Sequence, residues 1–330
     1  MGYASVENNK PLIRFFTQQK QVLIFITKIL IAAGLLFYLV SAIDYKHIIP
    51  AIQDADLWLI GAAFVLSFVN FFLQYLKWKL TSNNVLDENN RPKIVTSLFY
   101  GFSAGIITPL RIGEYFGRAI AFRDKTVIQV SLATLIDKFF PLMIVASLGA
   151  ISSLIFIYQF YDISIYIVIA LFIVVFSLFY FFALLVLNPK FWDSFLFSKI
   201  KKIKQMHSLI ESIQTLKSLD KKYFLKMSLI SFLFYLCFLI QYAILVSAFS
   251  HHFNFLNFLW VGNLIMFVKT VIPPVSLGEL GIREGASVYF LTTMGETSSV
   301  AFNASIFLFI INLLVPSLIG LVLLMKRNNA

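Results

Sequence analysis

Apolar residues fall along this chain in long unbroken runs, not in the stripe of a half-exposed surface helix. Six runs reach the ~20 residues that a helix needs to cross a hydrocarbon core. They lie at roughly 22–43, 57–76, 126–158, 163–187, 223–250 and 298–325. The third is longer than a bilayer requires, which predicts a tilted or protruding helix. Two further apolar stretches, 94–108 and 255–273, are too short or too broken to span. Each leads straight into a segment carrying Pro and Gly. Short helix, break, second short helix is the pattern of a re-entrant hairpin. Such backbone is tolerated at membrane depth where protein buries it or where it lines a cavity. The predicted fold is an all-α polytopic membrane protein with six full spans and two re-entrant helical hairpins.

The two breaks are near-copies. The first reads Pro109-Leu-Arg-Ile-Gly113-Glu114-Tyr-Phe-Gly-Arg118, and the second Pro274-Val-Ser-Leu-Gly278-Glu279-Leu-Gly-Ile-Arg283. Both are P-x-x-x-G-E-x-x-x-R. Three full spans separate them, so the hairpins enter from opposite sides of the membrane. The chain then divides into pseudo-repeat halves, 1–162 and 163–330, of one membrane domain with inverted topology. Interrupted segments at matching places in two halves point to a translocation or binding site.

Charge sets the orientation. Lys10, Arg14 and Lys20 precede the first span. Lys77, Lys79, Arg91 and Lys93 are assigned to a loop at 77–93, and Lys326-Arg327 follow the last span. The opposite loops are acidic or poor in charge, with Asp44, Lys46, Asp54 and Asp56 in one and Asp162 in another. Basic loops stay cytoplasmic, so both termini are predicted inside. The segment 188–222 mixes Phe, Trp, Ile and Leu with lysines, which predicts an amphipathic stretch on an anionic cytoplasmic leaflet.

Composition agrees. Of 330 residues, 59% are hydrophobic and only 13% charged, against about 25% charged in soluble domains. The net charge of +11 belongs to the basic loops. With no separate soluble domain or binding motif, nucleic acid is not expected as a partner. Polar sequence through Gln21, and no small-residue cleavage site after the first apolar run, predict that the first span is retained. Cys237 is the single cysteine, so no internal disulfide forms.

The repeated motif carries the candidate chemistry. Glu and Arg four residues apart share a helix face, so Glu114 reaches Arg118 and Glu279 reaches Arg283. Pro109, Gly113, Pro274 and Gly278 open a helix start, whose free N–H groups and positive end favour anions. Two readings are open. In one, each Glu caps its own helix and neutralises its own Arg, so that the hairpin can be buried. In the other, the guanidinium faces a cavity and takes a lipid phosphate as a bidentate fork. Arg111, Lys269 and Glu284 would then complete the lining. Asp137 and Lys138 lie deep in the third span, followed by Pro141. Adjacent helical residues diverge by about 100°, so these two are expected to pair with other groups. Ionisable residues at that depth are functional candidates, although an interhelical ion pair explains them equally. Asn70, Gln74, Gln241, Asn263, Asn303 and Asn312 read as mostly interhelical hydrogen bonds. No Walker loop, H-E-x-x-H, G-x-S-x-G or metal-spaced Cys/His set is present. No cofactor or metal is therefore expected, and no catalytic residue is assigned.

At these positions the chain resembles the flippase-like family named for the transmembrane region of lysylphosphatidylglycerol synthases. The resemblance rests on 109–118, on 272–284, and on Asp137-Lys138, where that family often has Glu-Arg. It implies a bacterial inner-membrane protein that moves an anionic lipid or lipid-linked intermediate between leaflets, with membrane lipids as partners. The sequence ends without the synthases' soluble aminoacyl-transfer domain. Two alternatives stay open: an intramembrane lipid or polyprenyl-phosphate transferase using a Glu as general base, and an assembly subunit that binds lipid without moving it.

Overall fold

Several helix starts in this chain are written in short polar residues, and every described element is a helix. The computed structural model describes residues 50, 52–187, 220–272 and 281–328. Helix α1 spans Leu57–Val85, with Asp56 accepting from the backbone N–H groups of Trp58 and Leu59. Helix α2 spans Arg91–Ile107, capped by Asn90 with Pro92 in its first turn. A 3-10 turn at Pro109–Arg111 leads into α3, Gly113–Ile120. Helix α4 spans Val127–Phe160 behind a Thr126–Gln129 capping box. Helix α5 spans Ile165–Leu187, α6 Lys221–Ser250, α7 Phe255–Val271 and α8 Ile282–Thr293. Helix α9, Ser298–Phe309, passes through a π-turn at Ile310–Leu314 into α10, Val315–Asn328.

Four continuous helices are long and apolar enough to cross a membrane: α1, α4, α6 and the α9–α10 unit. These match four of the six expected spans. A fifth, 163–187, is helical as α5. The span at 22–43 lies outside the described residues, as does the basic segment at 188–222 apart from Asp220, Lys221 and Lys222. Large apolar side chains face outward along α1 (Phe64, Val65, Phe68, Phe72) and α5 (Ile167, Ile173, Phe176, Tyr180). Exposed apolar surface of this extent is what lipid covers. The chain is a multi-pass helical membrane protein.

One expectation is corrected. Residues 77–85 are not a loop. They continue α1 by more than two turns, and Lys77 and Trp78 are buried within it. Nothing in 77–85 breaks a helix: it contains neither Gly nor Pro.

The 94–108 stretch and its break form a helical hairpin, and glycine makes it possible. A Cβ on Gly113 would lie 2.2 Å from the Ala104 carbonyl oxygen, and one on Gly117 2.4 Å from the Tyr100 oxygen. The pairings run in opposite directions, so α2 and α3 are antiparallel with backbones in contact. The turn holds Leu110 and Arg111 at φ 56° and 53°, a left-handed conformation that side-chain-bearing residues rarely adopt. Thr108 Oγ1 accepts from Gly113 N–H at 2.7 Å and ties the turn across its base.

Two sets of pairings recur in the packing. Helix α2 packs on α3 and on α10, while α7 packs on α8 and on α4. Helix α3 packs on α4, and α8 on α9. Helices α1 and α6 pair along their lengths. One core cluster gathers Tyr242, Phe258, Leu264, Leu291 and Leu308; a second gathers Trp78, Leu98 and Phe122 around the hairpin.

Candidate functional site

Glycine contact between α2 and α3 turns one face of α3 inward, and that face carries Glu114 and Arg118. Both are 3% exposed. A charge so buried must be paired, and each is paired more than once. Arg118 Nη2 donates to Glu114 Oε1 at 2.7 Å, one helical turn back. Its Nη1 donates to Asp137 Oδ2 on α4 at 2.9 Å. The guanidinium lies 4.3 Å from the centre of the Trp78 ring on α1, a cation–π contact. Arg118 thus joins three elements.

Asp137 and Lys138 point to different partners. Besides Arg118, Asp137 meets Lys77, whose ammonium lies 3.4 Å from Oδ1 and donates to the Asp137 backbone carbonyl at 2.9 Å. That carbonyl is open because residue 141, its acceptor-to-donor partner in a regular helix, is proline. Lys138 reaches back to the hairpin, its Nζ donating to Glu114 Oε2 at 2.7 Å, with the Tyr115 ring 5.2 Å away. Arg111 Nη2 shares that same oxygen at 3.0 Å.

Four cations therefore meet two carboxylates. The inner part, Lys77, Arg118 and Asp137, is sealed. The outer part is not: the side chains of Lys138 and Arg111 keep 30% and 19% of their surface exposed. Glu114 stands between, with Oε1 turned to the sealed Arg118 and Oε2 to the two open cations. Chemically, the arrangement leaves two partly exposed cations held 2.7 and 3.0 Å from one carboxylate oxygen, the kind of donor pair an anion can use.

A second, smaller cluster forms at the start of α8. Arg283 Nη2 donates to Glu284 Oε1 at 2.6 Å, and Arg283 Nε to Ser305 Oγ on α9 at 3.1 Å. Glu284 Oε2 accepts from the Gly281 N–H at 2.6 Å, the capping position where a carboxylate is favoured. The Phe309 ring lies 5.3 Å from the guanidinium. Gly281 has φ +97°, so glycine is required there. Both arginines thus share three features: a carboxylate of their own helix, a polar group of the next helix and an aromatic face. Lys269, in the last turn of α7, has its ammonium 6.0 Å from the Phe238 ring. Pro274, Gly278 and Glu279 lie outside the described residues. The backbone of Pro109 opens the 3-10 turn.

Sequence reasoning missed Lys77 and Trp78. Their signal was available: the unbroken helical pattern past 76, and a buried Asp137 with a carbonyl freed by Pro141. Among the neutral polar residues, Gln241 donates to the Ala63 carbonyl and accepts from Asn312. Asn263 donates to the Leu148 carbonyl, whereas Gln74 bonds within α1 to Asn70. Among the described residues no three His, Cys, Asp or Glu side chains are grouped to hold a metal ion.

One family model, described as the lysylphosphatidylglycerol synthase TM region, matches residues 25–320, most of the chain. No curated protein and no solved structure matches.

Proposed function

As the chain belongs to the family of the lysylphosphatidylglycerol synthase transmembrane region, a membrane-lipid-related function is its premise, and we propose that it moves an anionic lipid between leaflets. The observation that carries this is Glu114 Oε2, shared by Lys138 and Arg111 at 2.7 and 3.0 Å. A headgroup phosphate offers the same oxygen chemistry to the same donors. It enters at the exposed side of Lys138 and Arg111, takes them from Glu114 Oε2, and leaves Arg118 holding the carboxylate through Oε1. The ligand thus exchanges for an internal anion and does not desolvate bare cations, which keeps the step low in cost at membrane depth.

The exchange-like packing of α2–α3 with α10 and α4, and of α7–α8 with α4 and α9, supports an inverted repeat with two re-entrant hairpins. In such a repeat Arg283 takes the place of Arg118, with the neighbouring Glu284 as a carboxylate partner. Alternating access is then a rocking of one half against the other. The tails stay in lipid while the headgroup passes the hairpins.

The test is transport in liposomes. Full-length protein is reconstituted with phosphatidylglycerol labelled on its headgroup, and loss of signal to an impermeant quencher reports leaflet exchange. Wild-type protein raises exchange above empty liposomes. Arg111→Ala and Lys138→Ala each lower it by ~10-fold or more, as expected when one charge-assisted hydrogen bond is lost. Exchange no faster than in empty liposomes overturns the reading. A new lipid species appearing on chromatography replaces it with the transferase.

A further inference from the structure

A second site, with different chemistry, lies between α4 and α7. The two helices touch where Gly149 meets Phe267; a Cβ there would sit 2.4 Å from Phe267 Cβ. Beside that contact a groove of about 460 Å³ opens. Leu148, Ile151 and Ile155 line one wall and are exposed. From 148 to 159 the α4 wall rises about 16 Å. Gln159 and Asn257 stand at one end, in the last turn of α4 and the first of α7. Among the described residues no charged side chain lines the groove, and these residues do not offer a phosphate the cations that the Glu114 cluster does.

One of its polar groups, Asn263, is held in place. Asn263 is oriented from both sides: its Oδ1 accepts from the Tyr235 hydroxyl, and its Nδ2 donates to the Leu148 carbonyl at 3.3 Å. Trp260 is buttressed by Phe156 and Phe160, with ring centres 6.0 and 6.3 Å away. Its ring therefore forms a fixed wall. Amide side chains both donate and accept, which suits adjacent hydroxyls. An indole face covers the C–H side of a polyol and keeps its own N–H as a donor. The aliphatic wall below suits the first methylenes of an acyl chain.

We propose that this groove binds one membrane lipid with an uncharged, hydroxylated headgroup, a glycosyl diacylglycerol in class. The sugar lies against Trp260 and bonds Gln159 and Asn257, and the chain follows Leu148, Ile151 and Ile155. The site stands apart from the anion cluster and does not depend on the transport reading.

Native mass spectrometry of the detergent-solubilised full chain tests it. The probes are monoglucosyl-dioleoylglycerol and dioleoylglycerol, which differ only in the sugar. The glucosyl lipid is retained ~10-fold better, the worth of two neutral hydrogen bonds. Gln159→Leu with Asn257→Leu removes that preference, and so does Trp260→Leu. Arg111→Ala leaves it intact, whether or not the variant still moves phosphatidylglycerol. Equal retention of the two probes overturns the proposal by reducing the groove to an aromatic belt. Preference unchanged in both groove variants, or lost in Arg111→Ala, overturns it by placing the sugar elsewhere.

Discussion

Lys77 Nζ donates to the backbone carbonyl of Asp137, and that carbonyl is available because Pro141 has no N–H to give it. A helix defect on α4 and a buried charge on α1 thus satisfy one another. With alanine at 141, the helical bond to Asp137 re-forms and Lys77 loses an acceptor. The penalty of Lys77→Met is then expected to be ~1 kcal/mol smaller in the Pro141→Ala background. A double-mutant cycle of thermal midpoints in detergent measures the coupling. Additive penalties would show that Lys77 depends on the Asp137 carboxylate alone.

Asp137→Ala should be among the most damaging single changes. It strips an oxygen partner from Arg118 and Lys77, both buried. Breaking a buried pair by removing one member costs about 3–5 kcal/mol. Arg283→Met with Glu284→Leu removes a pair together and should cost less than either single change. Thermal midpoints of purified variants order these effects.

The hairpin makes a prediction about glycine. Gly113→Ala and Gly117→Ala place a methyl group into a facing backbone oxygen, and overpacking costs about 1–3 kcal/mol or more. Gly285, on α8, has nothing within 4 Å of its would-be Cβ, and it is exposed. Gly285→Ala should therefore stabilise, by the ~1 kcal/mol separating Gly from Ala in a helix. Retained folded yield of Gly113→Ala would contradict the backbone contact.

Acid should loosen the hairpin's entrance. Lys93 bridges Glu88 and Asp124. The hydrogen bond from Lys93 holds both carboxyls below their ordinary values of 4.5 and 3.8. Burial disfavours the Lys93 charge, yet its bonds to Asp124 and Glu88 raise it above 10.5. Depressed carboxyls lend stability above their unfolded values, and it fades as pH falls through the folded ones. Raised Lys93 lends stability below 10.5, lost only at higher pH. Protection of 86–93 and 121–126 from hydrogen exchange should hold from about pH 5 to 10 and drop below about pH 4. Lys93→Met should abolish that dependence.

Much of this was readable from residue pattern. Among the described residues the long runs located the helices within a few residues, apart from the end of α1 at Val85, because a lipid-facing helix is apolar on every side and leaves little else to decide. The Glu114–Arg118 pair followed from i,i+4 spacing, and the divergence of Asp137 from Lys138 from the helical turn. Lys77 was not found. Charge counting treats a lysine beyond an apolar run as a loop residue, while packing buries it against an acid sixty residues away. Arg283 was matched with Glu279 by periodicity. Its partner among the described residues is Glu284, an adjacent residue that the left-handed Gly281 brings round to the helix start.

Ser103 on α2 donates to the carbonyl of Ser317 on α10 at 2.5 Å, and a Cβ on Gly320 would lie 2.1 Å from the Phe99 oxygen. These contacts join residues some 214 positions apart. At ribosomal speeds of about 5–20 residues per second, that is a delay on the order of ten to forty seconds. Through that interval the nascent hairpin has no mate for its small-residue flank. Its final seating belongs to the end of synthesis, and a chain stalled or truncated before Ser317 leaves that seam unsealed.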